Sequence, residues 1–223
     1  VVFTTAERFL SWTMDAGETG HWGRERAGFW YNARVRSLAA LLGPSVLRYG
    51  GTSADFTAYN FSGRFFPTSH PDPTRRTLVL NETVLDGLVS FCAAVGWELV
   101  FGANLGTYRT GVTAEATVWD PAAFRSLARY VKRRGYDVAG WELGNEPDLL
   151  TKDHGIPISP AVEAQDFATY AKVLEEELGG GGGGGGRRPY RIIGPDSALT
   201  AQHYFTPFLG NLTAAVGGGS VVD

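Results

Sequence analysis

The seven residues Trp141-Glu142-Leu143-Gly144-Asn145-Glu146-Pro147 set two carboxyls and an amide at the end of an apolar segment. If that segment is a strand, its side-chain period of two puts Glu142, Gly144 and Glu146 on one face. Such a strand, ending in Asn145 and Glu146, presents a carboxyl beside an amide. Cleavage of a glycosidic bond needs a carboxyl of this kind to protonate the leaving oxygen. The Asn145 amide can hydrogen-bond a sugar hydroxyl near the reacting carbon, and Pro147, lacking an N–H, stops the strand. The competing reading is a strand end and a turn, with Glu146 merely solvated. Trp-Glu-Leu-Gly ahead of Asn-Glu-Pro favours the catalytic one.

Other polar residues stand at the ends of other apolar segments. Asp15 closes the first of them, a strand-end carboxylate that could serve as a helix or loop cap. Gly50-Gly51-Thr52 closes the second: glycine here lets the backbone approach a ligand closely or serves a tight strand exit. Arg48 lies inside that segment, where a buried cation needs a carboxylate partner, and Glu142 is the candidate. His21, His70, His154 and His203 have neither ligand-like spacing nor a Glu-x-x-His partner, so neither metal nor cofactor is expected. Trp12, Trp22, Trp97, Trp119 and Trp141 read as core, with Trp22 and Trp119 in loops where a sugar could stack.

The elements that must carry these residues alternate. Strands are predicted at Phe9–Met14, Val46–Tyr49, Leu99–Ala103, Ala139–Leu143 and Arg191–Ile193. Helices are predicted at Phe29–Leu42, Glu82–Val95, Pro121–Arg134 and Pro160–Leu178, with a fifth over Pro207–Val216. The third helix has Asp120 as cap, Pro121 at its first position and Gly135 at its end. Phe124, Leu127, Ala128 and Val131 form its buried stripe. Alternating β and α elements make an α/β chain with a parallel sheet. The long connections follow the strands: Gly50–Leu80, Asn104–Asp120 and Asn145–Ser159, the loops that form the active-site face of a barrel. The glycine run Gly179–Gly186 has no preceding strand and no Gly-Lys-Ser, so it reads as a flexible insertion rather than a phosphate cradle.

Composition sets the frame. The chain has 223 residues, 43% hydrophobic and 19% charged, which suffices for one core. It falls short of the roughly 250 residues of a complete barrel. The net charge of −3, with scattered Lys and Arg, excludes a nucleic-acid footprint. No apolar run approaches the roughly 18 residues of a membrane span. Val1–Leu10 lack a signal peptide's basic start, so the protein stays inside or a precursor's N-terminus precedes Val1. The lone Cys92 reads as a buried small residue. Asn60, Asn81 and Asn211 head Asn-x-Ser/Thr sequons and favour a secretory route, hence an extracellular, lysosomal, vacuolar or membrane-associated location.

Trp141–Pro147 resembles the acid/base motif of glycoside hydrolase family 79, the heparanase-like family. Phe9–Asp15 resembles that family's first strand, and Leu47-Arg48-Tyr49-Gly50-Gly51-Thr52 with Asp55-Phe56 its second. Phe101–Asn104 resembles the third and Ile193–Asp196 the fifth. The resemblance implies a (β/α)8 TIM barrel, of which residues 1–223 are the N-terminal part with about five β/α units. The rest of the barrel and a β-domain would lie outside this sequence. It also implies a retaining hydrolase cleaving β-glucuronide-type bonds, with Glu146 as proton donor and Asn145 beside the sugar's 2-position. Asp15, Gly51, Thr52, Arg48 and Lys152 would line the substrate site; for Lys152, which would face an acidic substrate, surface solvation is the alternative. The nucleophilic glutamate would end the seventh strand; no glutamate follows Glu177 here.

The sequence also departs from the family. Its animal members have Asn where Gly17 stands and Lys where Ser53 stands. Only Arg75-Arg76 stands in place of their lysine-rich heparin-binding segment, and Leu199 and Thr200 replace polar and basic substrate contacts. So few cations suit a densely sulfated polymer poorly. A β-glucuronide in a plant-type or algal glycan, an arabinogalactan or a small glycoside suits the site better. The expected partner is thus a carbohydrate, with no nucleic acid and with a peripheral membrane or cell-wall association. Another barrel glycosidase, such as an arabinofuranosidase or xylosidase, and a non-catalytic glycan-binding paralogue remain alternatives.

The glycine run yields the first test. Lengthening a flexible loop costs only about 0.6 kcal/mol per doubling, and this loop lies opposite the expected catalytic face. Replacing Gly179–Gly186 with a two-residue turn is expected to leave kcat and KM of the full-length protein unchanged. A large rise in KM would place the run at the active site.

Overall fold

The computed structural model describes residues 4, 6–17, 29–69, 78–179, 190–198 and 203–216. Most of the glycine run, together with His21, Trp22, His70, Arg75, Arg76, Leu199 and Thr200, lies outside the described residues. Five strands form one parallel sheet: β1 (Ser11–Asp15), β2 (Ser45–Gly50), β6 (Trp97–Ala103), β9 (Gly140–Leu143) and β10 (Arg191–Ile193). They lie in that spatial order, so each pairs with its predecessor in this series. In register, Leu47 stands opposite Trp12 and Leu99, and Phe101 opposite Trp141.

All five predicted strands are present, Arg191–Ile193 with the same bounds and the other four with ends shifted by at most two residues. The first begins at Ser11 instead of Phe9, and Phe9 and Leu10 are exposed. Trp12 is 42% exposed and stacks on Trp97 at 6.3 Å, which corrects its reading as core. It lies on β1, which among the described residues pairs on one side only.

The helices follow their caps. In α1 (Ala33–Ala40), the Asn32 side chain accepts from the N–H groups of Arg34 and Val35, so the helix starts later than Phe29. For α2 (Glu82–Val95), Asn81 accepts from Val84 N–H and Gly96, at φ 74°, ends the helix. For α3 (Ala122–Arg134), the cap position is Pro121, one residue later than expected and without a side-chain bond of its own. Asp120, just ahead of it, accepts from Ala122 N–H at 2.9 Å, and Gly135 ends the helix at φ 64°. A short helix α4 (Pro147–His154) follows β9. The long α5 (Pro160–Leu178) is capped by Ser159, and α6 (Phe205–Ala215) packs on it.

The loops carry structure the periodicity did not reveal. The first long one holds a 3-10 turn, Thr52–Phe56, and the strands β3 (Thr57–Phe61), β4 (Arg64–Phe66) and β5 (Leu78–Asn81). These make a separate three-stranded sheet in the order β4-β3-β5. The second holds a hairpin of β7 (Arg109–Thr110) and β8 (Val118–Trp119). Such segments are too short for an alternation to stand out. The sequon residues are spread: half-buried Asn60 in β3, Asn81 as a helix cap, and exposed Asn211 in α6.

Side chains on one face of the sheet meet the helices. Trp141 of β9 packs on Phe101 and Phe124, and Phe124 lies 4.6 Å from Tyr170 between ring centroids. Trp119 joins this cluster at 2% exposure and donates its indole N–H to Asn104 O. It is therefore core, and the sugar-stacking reading of this loop residue is corrected. Cys92 is buried as expected, and burial pushes its thiol up to about 12. Within the described residues, no helix is long and apolar enough to cross a membrane.

Phe124 joins α3, β9 and α5, and no neighbour can move to fill its place without disturbing another aromatic contact. Phe124→Ala should destabilise the fold by about 3–5 kcal/mol. Chemical denaturation is the check, with Phe124→Leu expected to cost clearly less.

Candidate functional site

Because the sheet is parallel, the C-terminal ends of its strands lie on one edge. Asp15 ends β1, Gly50-Gly51-Thr52 follows β2, Asn104 follows β6, Asn145 and Glu146 follow β9, and Asp196 follows β10. This is where open and closed α/β sheets gather their ligand-binding residues.

Alternation along the strands separates greasy from charged. Leu47, Tyr49, Phe101 and Trp141 enter the core, while Arg48 and Glu142 point to the other face. Arg48 Nε donates to Glu142 Oε2 at 2.6 Å, the partnership expected from sequence. Its NH2 group donates to Asn145 Oδ1 at 3.2 Å and also to Asp196 Oδ2. One guanidinium thus ties β2 to β9 and to the segment after β10. A Cβ at Gly102 would crowd the β2 backbone, standing 3.1 Å from Gly50 Cα and 3.3 Å from Tyr49 O, so glycine here lets the strands lie close beside the pair. Burial raises the Glu142 carboxyl above the usual carboxylate range; Arg48 opposes the shift and Asp196 adds to it.

The Asn145–Glu146 turn is built differently from the expected strand. β9 ends at Leu143, and Gly144 turns the chain at φ 79°, its N–H donating to Ala103 O. A side chain at 144 would run into Leu105. Glu146 sits at φ 48°, ψ 54°, a left-handed conformation that L-residues other than Gly, Asn and Asp rarely adopt. Strand periodicity therefore does not place Glu146 on the face of Glu142. Its N–H donates to Asp196 O at 2.8 Å, its own carbonyl accepts from Leu149 N–H, and Pro147 begins α4. The side chain is half-buried.

Asn145 is gripped from three sides. Its Oδ1 accepts from Arg48, its Nδ2 donates to Thr52 Oγ1 at 3.3 Å, and its backbone N–H donates to Asp55 Oδ2 at 3.0 Å. Asp55 is fully buried, and its Oδ1 accepts the N–H groups of Leu105 at 2.9 Å and Gly106 at 3.2 Å. Burial pushes Asp55 up to about 7, against the lowering effect of those three N–H groups. Sequence reasoning did not assign a site role to Asp55 or Asp196. The available signals were a carboxylate between Ala54 and Phe56 just past a Gly-Gly turn, and one closing the fifth strand.

The remaining residues are placed less centrally. Asp15 accepts from Gly17 N–H at 2.7 Å and from Ser53 N–H at 3.5 Å, so its carboxylate braces the loop ends around β1 and β2. Gly51, at φ 81°, lets Asp15 come close; any side chain there would meet that carboxylate. Lys152 is exposed on α4. Six residues at about 1.5 Å and 100° each carry it roughly 9 Å along the axis and well round the helix from Glu146. Among the described residues, no cluster of His, Cys, Asp and Glu could hold a metal ion.

The Asp55 value lies above the ordinary 3.8, so folding favours its protonated form. Stability from that proton is complete below about pH 4 and is lost as pH rises to about 7. Asp55→Asn removes the titration. The stability of the wild type relative to Asp55→Asn should therefore fall with rising pH, by up to about 1.4 kcal/mol per unit across this window. Denaturation series from about pH 4 to about pH 8 check it; a constant difference would show that Asp55 does not titrate there.

Residues 40–216 match the family model "Glycosyl hydrolase family 79, N-terminal domain". Heparanase of Gallus gallus is 28% identical over 207 residues, which cover 75% of this chain and 38% of that protein. Hyaluronoglucuronidase of Hirudo nipponia is 30% identical over 154 residues, covering 60% and 31%. The chain thus spans about a third of the length of these curated relatives. The solved structure of a 4-O-alpha-L-rhamnosyl-beta-D-glucuronidase from Fusarium oxysporum aligns with 92% of this chain and 41% of its own, at a TM-score of 0.54 and 13% identity, a likeness of fold. With a family model matched over most of its length, the chain belongs to glycosyl hydrolase family 79 through that family's N-terminal domain.

Proposed function

We propose that this chain supplies the proton-donor half of a retaining glycoside hydrolase acting on β-glucuronide-type O-glycosidic bonds. The observation that carries the reading is the backbone of Glu146. A left-handed conformation costs roughly 1–2 kcal/mol for an ordinary L-residue, and strain of this kind persists where the surroundings impose it, characteristically at reactive sites. Here Gly144, Pro147 and the Asp196 carbonyl impose it on the residue that sequence had named as the acid.

In the proposed reaction, Glu146 protonates the departing oxygen while Asn145, held by Arg48 and Thr52, meets a hydroxyl of the sugar. A second carboxylate, roughly 5–5.5 Å from Glu146, would attack the anomeric carbon; the sequence after Glu177 contains no glutamate for it. Residues 1–223 would then be the front of a (β/α)8 barrel, with β1, β2, β6, β9 and β10 as its first five strands. The names heparanase, hyaluronoglucuronidase and glucuronidase among the similar proteins support a glucuronide as the sugar cleaved. Asp15, Gly51 and Thr52 would line the sugar, and Lys152 would face an acidic group further out.

The test separates leaving groups. In the full-length protein, Glu146→Gln should lower turnover of glucuronides with poor leaving groups by roughly 10²–10⁴-fold. Activated aryl glucuronides, which leave without a proton, should suffer much less in the first step. Equal loss on both would refute Glu146 as the acid. A wild type that binds glucuronides but cleaves none would favour a glycan-binding role.

A further inference from the structure

Asp55 touches neither Glu146 nor the Asn145 side chain, yet it determines where both begin. It accepts the N–H of Asn145 at 3.0 Å, immediately after the left-handed Gly144 and immediately before the left-handed Glu146. The same carboxylate accepts Leu105 and Gly106 N–H at the exit of β6, and the Asp55 carbonyl accepts Thr107 N–H and the Thr107 hydroxyl. Leu105 in turn fills the space a side chain at Gly144 would need. The exits of β6 and β9 are thereby fixed against one buried side chain of the turn after β2. A carboxylate can serve three donors across its two oxygens, whereas an amide offers one acceptor and opposes the third donor with its own N–H.

We propose that Asp55 is a positioning residue for the reaction: it orients the proton donor by anchoring the backbone of the Asn145–Glu146 turn to the β6 exit. The inference rests on the reading of Glu146 as the acid. An anchor of this kind acts first on the angle and reach of the donor, because the Asn145 side chain keeps its own holds on Arg48 and Thr52, and Lys152 stands apart on α4. Its signature is therefore that of a weakened acid, not that of a weakened binding site.

The experiment is a double-mutant cycle in the full-length protein, with Asp55→Asn, Glu146→Gln and the pair. Glucuronides of poor and of activated leaving groups are compared, and hydrogen exchange is followed at Leu105, Gly106 and Asn145. Asp55→Asn should lower kcat roughly tenfold or more on poor leaving groups, with little change in KM and a much smaller effect on activated ones. On top of Glu146→Gln it should add nothing further. Exchange at Asn145 should quicken by roughly tenfold, as the loss of one hydrogen bond allows.

Additive losses, or equal losses across leaving groups, would overturn the proposal while leaving Glu146 as the acid. If Glu146→Gln itself shows no leaving-group dependence, the reading of the acid fails and the proposal, which rests on it, fails with it; exchange at Asn145 then reports only whether Asp55 anchors the turn. Should Asp55→Asn not fold, Gly106→Ala provides the second route. Its Cβ would stand 2.9 Å from both Asp55 Cβ and Asp55 O, displacing the anchor without removing its charge. The same leaving-group signature is expected, and its absence would count against the proposal.

Discussion

Burying a carboxylate while giving it three backbone N–H donors is the constraint around which this edge of the sheet is arranged. Removing such a charge from water costs several kcal/mol. Each hydrogen bond to a charged group returns about 1.5–3 kcal/mol. At Asp55 burial outweighs the hydrogen bonds, so the carboxyl rises to about 7 even with three N–H donors opposing the shift. The donors come from the exits of β6 and β9, and the acceptor from the turn after β2. Loops that would otherwise leave buried N–H groups unpaired are satisfied by one side chain.

Arg48 does for side chains what Asp55 does for backbone. Its guanidinium offers donors in a fixed fork, and three acceptors from two strand ends converge on it: Glu142, Asn145 and Asp196. Beneath this polar layer the odd-numbered neighbours Leu47, Tyr49, Phe101 and Trp141 enter the core, where Tyr49 meets Phe101, Phe101 meets Trp141, and Trp141 meets Phe124. The strands therefore present a rigid apolar layer toward the helices and a charged one away from them. Precision at the strand ends follows from both, because the aromatic contacts below resist the sliding that would break the ion pairs above.

The elements that sequence displayed are those with local signals. Asn81, Gly96, Ser159, Pro160 and Gly135 mark helix ends by capping chemistry that needs no tertiary partner. The Arg48–Glu142 pair was legible because a buried cation demands an anion. The β4-β3-β5 sheet and α4 were not, since their stability comes from what the long loops pack against. The turn at Glu146 was misjudged for a related reason. Periodicity extends a strand until something stops it, and the stop at Gly144 is set by Leu105, a residue of a neighbouring loop. Asp55 and Asp196 show in the sequence only as carboxylates just past strand ends, because the partners that define their role lie roughly fifty to a hundred and fifty residues away.

The left-handed backbone at Glu146 also bears on how this sequence can change. Glycine carries no penalty at φ 48°, and asparagine or aspartate carries a reduced one. A replacement of Glu146 by glycine would relieve strain that the fold otherwise holds, so thermodynamic stability and the carboxyl pull in opposite directions at this one position. Under selection for a durable fold alone, Glu146 would be among the first residues to drift away. A glutamate at such an angle stands against the preference of its own backbone.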